Sequence, residues 1–107
     1  MGVIRLNENN FDTETSTGTT LVDFYADWCM PCRRLSPILE SVADTLGDKV
    51  KVVKVNVDES PNVAQRFEVR SIPTFVVIKD GQVVNRRTGA KDEKQLLEFV
   101  KSSKGTI

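Results

Sequence analysis

Cys29 and Cys32 are the only cysteines in a chain of 107 residues, and only Met30 and Pro31 separate them. Cysteines at this spacing in the first turn of a helix can close a disulfide with little backbone movement. The segment before them, residues 20–26 (TLVDFYA), reads as a buried strand from its β-branched and aromatic content. The segment after them reads as a long amphipathic helix, so the cysteines fall where a strand hands over to a helix. A helix N-terminus carries partial positive charge and free N–H groups, and both stabilise a thiolate at Cys29. The thiolate is the species that attacks a disulfide. Pro31 suits the first helical turn, where its missing donor costs nothing. Cys32 continues the apolar stripe of Leu35 and Leu39, so its sulfur is expected to face inward. This pattern makes Cys29 the nucleophile and Cys32 the resolving thiol.

Other readings of the cysteines have less to stand on. A structural zinc site usually takes four Cys or His ligands, and this chain has two cysteines and no histidine. Zinc bridging two chains is the metal alternative that remains, and a pair of inert core cysteines is the other. Asp23 adds a second chemical signal, because it interrupts an apolar strand where a charge is costly. Desolvation there should raise its pKa, so that the carboxyl can take up the proton of Cys32. The alternative is an edge strand that turns Asp23 to solvent.

These groups must be positioned by the elements around them. Residues 3–6 read as a short strand, 7–15 as a segment with a short helix around Phe11, and 16–19 as polar loop. The long helix carries Leu35, Ile38, Leu39, Val42 and Leu46 at helical spacing, a kink expected at Pro37, and Gly47 as its stop. Residues 51–57 (KVVKVNV) form the next strand, with Val53, Val55 and Val57 on one side. Ser60 and Pro61 supply a cap and a first-turn proline for a short helix ending at Phe67. Residues 74–79 are a fourth strand, and Asp80-Gly81 is a two-residue hairpin turn into a fifth, residues 82–87. Asp92 and Gln95 form a capping box for a last helix with Leu96, Phe99 and Val100 inside. The order βαβαβ-α-ββα predicts an α/β fold whose central mixed sheet of about five strands is flanked by four helices.

Composition narrows the function. The length suits one domain over residues 1–107. Fifteen basic and fifteen acidic residues cancel, which argues against nucleic acid or an anionic membrane as the main partner. The Arg33-Arg34 and Arg86-Arg87 pairs read as solvated edges. The first ten residues hold no apolar run, so neither a signal peptide nor a membrane span is expected, and the cytoplasm is the default compartment. In that reducing compartment two cysteines are not expected to be a permanent staple.

The stretch LVDFYADWCMPCRRLSPIL strongly resembles the active-site segment of the thioredoxin family. The likeness runs on through KVNVDESP, RSIPTFVVIKDGQ and TGAKDEKQLLEF, and so covers essentially the whole chain. Thioredoxins are themselves the type example of a CxxC pair beside a βαβ pattern. The resemblance implies a thioredoxin fold and a dithiol that reduces protein disulfides. It implies that Asp23 is the buried aspartate beneath the resolving cysteine, with Lys54 as its partner. It implies that Pro73 is a cis-proline facing the disulfide, with Ile72 offering backbone to an extended substrate. Trp28, Met30, Pro31, Gly89 and Ala90 would complete the substrate surface. A lysine on a strand's polar face, a core tryptophan and an ordinary trans proline are the plain alternatives at Lys54, Trp28 and Pro73.

The implied cycle has a partner. A flavin-containing thioredoxin reductase drawing on NADPH would regenerate the dithiol, and this chain, lacking a GxGxxG fingerprint, would bind no cofactor itself. A monomer with disulfide-containing protein substrates is expected. Three residues depart from the family's common pattern: Met30 and Ser71 where glycine is usual, and Tyr25 where tryptophan is usual. Met30 puts the reduction potential in question, because residues between the cysteines tune Cys29. Two rival functions remain, a thioredoxin-fold binding module or assembly subunit with non-essential cysteines, and a more oxidising isomerase.

Overall fold

The computed structural model describes residues 2–105. The expected domain span also takes in Met1, Thr106 and Ile107, which lie outside the described residues. In chain order the elements are β1 (Ile4–Leu6), α1 (Phe11–Thr15), β2 (Thr19–Tyr25), α2 (Met30–Leu46), β3 (Lys51–Asn56), α3 (Pro61–Arg66), β4 (Thr74–Lys79), β5 (Gln82–Thr88) and α4 (Glu93–Gly105). A single 3₁₀ turn, Gly47–Lys49, follows α2. The five strands make one mixed sheet in the order β1-β3-β2-β4-β5. β1, β3 and β2 run parallel, whereas β4 runs antiparallel to both β2 and β5. The sheet thus has two antiparallel pairings, where the hairpin turn alone announced one.

β2 is the middle strand, which is why nearly every one of its residues is buried. Its alternate side chains feed two separate cores. Leu21, Val52, Phe75 and Val77 pack with Leu35, Leu39 and Val42 of α2 and with Leu96 and Val100 of α4. On the opposite face Val22, Phe24, Val53, Val55, Val76 and Ile78 meet Phe11 of α1 and Val63 of α3. β3 is therefore buried on both faces, Val52 in the first core and Val53 and Val55 in the second, and Val57 lies just past its end. Asp23 points to the side covered by α2 and α4, in the middle of the sheet. The edge-strand alternative does not hold.

Local chemistry sets most boundaries. Asp80 and Gly81 both take positive φ, 49° and 84°, as a tight hairpin turn of this twist requires. The Asp80 carboxylate also accepts a 2.7 Å hydrogen bond from the Gly18 N–H, tying this turn to the one before β2. α2 continues without a break through Pro37, whose ring is exposed.

Three expectations need correction. Ser60 stands at the N-cap of α3, but its buried hydroxyl makes no capping bond. The Asn62 N–H it would have served donates instead to the carboxylate of Glu8, 54 residues away in sequence. In the last helix, Asp92 accepts from the Gln95 N–H at 2.9 Å, as a capping box requires. The Gln95 side chain, however, accepts from the N–H of Lys91 and not from that of Asp92. Arg86 and Arg87 are not merely solvated. Arg86 donates to the carbonyls of Phe67 and Glu68, and Arg87 to Gly89 and Gln95, because an edge strand sends neighbouring side chains to opposite faces.

Candidate functional site

Strand direction decides which residues meet. β2 and β3 are parallel, so the loops leaving their C-terminal ends share one edge of the sheet. β4 runs the other way and begins at that edge, and β5 finishes there. Residues 26–29, 57–60, 72–73 and 89 are brought together in this way from four distant parts of the chain. The Val57 N–H to Tyr25 carbonyl bond (2.8 Å) and the Gly89 N–H to Pro73 carbonyl bond (2.8 Å) stitch the edge together.

Cys29 occupies the N-cap of α2 in extended backbone geometry (φ −84°, ψ 111°). It is joined to Cys32 by a disulfide, with the Cα atoms 5.3 Å apart. The Cys32 N–H donates to Cys29 Sγ at 3.3 Å. That donor is one of the four N–H groups a helix leaves unpaired at its start, so the fold supplies a partner for negative charge on this sulfur. Cys29 Sγ lies 3.9 Å from the carbonyl oxygen of Ile72, and the Ile72-Pro73 bond is cis. Burial does not separate the two cysteines, since each is 5% exposed. Their surroundings do. Cys32 opens on a cleft of about 520 Å³ shared with Asp23, Tyr25, Ala26, Leu39 and Lys54.

Asp23 is buried in that cleft, and its Oδ1 finds no hydrogen-bond partner among the described residues. Desolvation pushes its pKa up to about 7, and the charge of Lys54 opposes the rise. Lys54 is the register neighbour of Asp23 on β3. Its ammonium lies over the ring of Tyr25, 4.9 Å from the centroid.

The remaining positions form the rim. Trp28 is 68% exposed and stands outside the core. Its indole N–H donates to Asp58 at 2.8 Å, which holds the ring across the edge. Sequence reasoning did not single out Asp58. The signal available was topological: the loop after β3 must lie beside the loop after β2 once those strands pair in parallel. Met30 is exposed, Pro31 is exposed at the second position of α2, and Ile72 packs against Tyr25, Ala26 and both cysteines. Gly89 takes φ +75° beside Pro73, a backbone shape suited to glycine. Ala90 instead packs against the core beneath α2 and α4. Among the described residues no group of three or more His, Cys, Asp or Glu could hold a metal ion.

Met30 is an exposed, flexible side chain between the cysteines. Replacing it with glycine is expected to move the reduction potential by about 10–40 mV, since about 30 mV corresponds to 1.4 kcal/mol. Equilibration with a glutathione buffer measures it. A potential unchanged within error would leave Met30 a contact residue only.

A disulfide-forming pair on a helix N-terminus, with a cis-proline opposite, defines a thiol–disulfide oxidoreductase. The thioredoxin family model matches residues 2–102, and the chain belongs to that family, whose members act as protein-disulfide reductases. Curated relatives match this chain over nearly their full length. The thioredoxin of Bacillus subtilis (strain 168) is 43% identical over 100 residues, covering 94% of this chain and 96% of the relative. The thioredoxins of Staphylococcus saprophyticus and Staphylococcus aureus (strain Mu50) are each 40% identical over the same shares.

Proposed function

We propose that this protein is a single-domain dithiol carrier that reduces protein disulfides and is itself recycled by an NADPH-dependent thioredoxin reductase. The observation that carries the reading is the division of surroundings between the two sulfurs. Cys29 Sγ is met by a helix N–H and faces the Ile72 carbonyl, whereas Cys32 shares a cleft with a buried carboxyl.

The Cys29 thiolate attacks one sulfur of a substrate disulfide, forming a mixed disulfide and expelling the other sulfur as a thiolate. Cys32 then loses its proton to the Asp23 carboxylate and attacks Cys29 Sγ. The second substrate sulfur leaves, and the Cys29–Cys32 disulfide holds the oxidising equivalent of two electrons. Lys54 tempers the burial of the Asp23 charge. Trp28, Met30, Pro31, Ile72, Pro73, Gly89 and Ala90 form or support a shallow docking surface that accepts an extended segment through the Ile72 backbone. The dithiol carries the electrons, so no prosthetic group is needed, and NADPH enters only through the reductase. A cytoplasmic monomer suits this chemistry, and no helix among the described residues is long and apolar enough to cross a membrane.

Insulin-disulfide reduction with NADPH and a bacterial thioredoxin reductase tests the proposal. The wild type should turn over catalytically and Cys29→Ser should not. Full activity in Cys29→Ser would favour a binding module. A potential far more oxidising than the glutathione pool would favour an isomerase or oxidant.

A further inference from the structure

The cleft beside Cys32 contains one aromatic group that the proposed reaction does not use. Tyr25 ends β2 two residues after Asp23, so both side chains fall on the same face of the sheet. Arg5, Lys54 and Asp23 stand in one row across β1, β3 and β2. Two cations side by side in such a row repel each other. A lysine with a free four-carbon stem would ordinarily extend into water.

Tyr25 resolves that conflict. Its hydroxyl accepts a 2.8 Å hydrogen bond from Arg5 Nε, which draws the guanidinium toward Asp27 (4.0 Å) and Glu59 (3.9 Å). The ring serves both cations: the Arg5 guanidinium carbon lies 5.8 Å from its centroid and the Lys54 ammonium 4.9 Å, each within the range of a cation–π contact.

We propose that Tyr25 is a positioning residue: its ring, anchored by Arg5, seats the Lys54 ammonium at the cleft where its charge acts on the Asp23 carboxylate. The inference rests on the proposed role of Asp23 only for its kinetic consequence. The charged groups on the cleft are Lys54 from β3, Arg33 from α2 and Asp27 from the intervening loop. Arg87 lies in the same row beyond Phe75, but it is engaged by Gly89 and Gln95. Arg5, next to Lys54 in the row, is held by the same ring but does not line the cleft, so Lys54 is the cleft cation whose placement depends on Tyr25.

Carbon-13 NMR titration of the Asp23 carboxyl in the reduced, full-length protein tests the assignment. Tyr25→Phe keeps the ring face but frees Arg5 from its hydroxyl anchor, and should move the titration midpoint less than Tyr25→Leu does. Tyr25→Leu removes the seat and should raise the midpoint by about half a pH unit or more, as Lys54→Gln should. In a Lys54→Gln background Tyr25→Leu should add nothing, since both changes remove one interaction. An unmoved midpoint in Tyr25→Leu, or full additivity in the double variant, overturns the proposal. If Tyr25→Leu does not fold, Tyr25→Met fills similar space without a ring face and is read in its place. The pH profile of mixed-disulfide release should move with the midpoint. A shifted midpoint with an unmoved rate profile would sustain the seat and remove Asp23 from the proton path.

Discussion

A Cys32→Ser variant is expected to accumulate as a covalent complex with its substrate, joined through Cys29. The first attack needs only the Cys29 thiolate, its helix N–H partner and an extended segment docked along Ile72. All of these survive the substitution, because the Cys32 donor to Cys29 Sγ is a backbone N–H and not the side chain. Serine is close in size to cysteine, so the cleft beside Asp23 keeps its shape. What disappears is the internal second nucleophile. Well-oriented intramolecular groups act at effective molarities of about 10⁵ M or more, so millimolar external thiol should release the complex at least about a thousandfold more slowly. Mass spectrometry of the trapped adduct, with peptide mapping of the linkage, makes the measurement. Recovery of substrate chiefly on position 32 in the reciprocal Cys29→Ser variant would exchange the two roles.

Asp23→Asn is expected to stabilise the protein above neutral pH while slowing its chemistry. The folded-state pKa of Asp23 is raised to about 7 by burial, whereas an unperturbed aspartate titrates near 3.9. The folded state therefore holds the proton over a window in which the unfolded chain has already lost it. Stability falls as pH rises from about 4 to about 7, and the wild type is left with a penalty of about 4 kcal/mol above that window. Below about pH 4 both states are protonated and the penalty vanishes. Asparagine does not ionise, so its advantage over the wild type should grow by about 2–3 kcal/mol between pH 5 and pH 8. Denaturant midpoints of both reduced proteins at those two pH values test this. The same change deprives Cys32 of its proton acceptor, so mixed-disulfide release should slow by about a hundredfold or more at pH 7, the scale of general-base removal. A variant less stable than wild type at pH 8, or one that reduces insulin at the wild-type rate, would show that Asp23 is not a buried proton acceptor.

Both predictions involve Cys32, yet the grounds for choosing it as the second attacker changed between sequence and structure. Helical spacing put its sulfur on the inner face with Leu35 and Leu39, and it is indeed buried. Cys29 is equally buried. The distinction lies in the Asp23 cleft on one side and the Ile72 carbonyl on the other, and spacing within a single helix carries no information about either.

What the residues alone determined is local. The dithiol at a strand-to-helix junction, the carboxylate inside an apolar strand, the Asp80-Gly81 turn and the stripes of α2 and α4 follow from side-chain period and turn chemistry within a few residues. The Glu8 carboxylate on α3 shows where such reasoning ends, since a local cap was displaced by a group 54 residues away. Tertiary structure decided that β2 is the middle strand, and with it the burial of Asp23. It also decided that β4 starts at the edge where β2 ends, setting Ile72 and Pro73 against Cys29 and Asp58 against Trp28. The seat of Lys54 on Tyr25 needed the register of three strands. Periodicity says which face of an element is apolar, but strand order and direction are settled by contacts between segments far apart in sequence. The chemistry was legible in the sequence, and its geometry waited on the sheet.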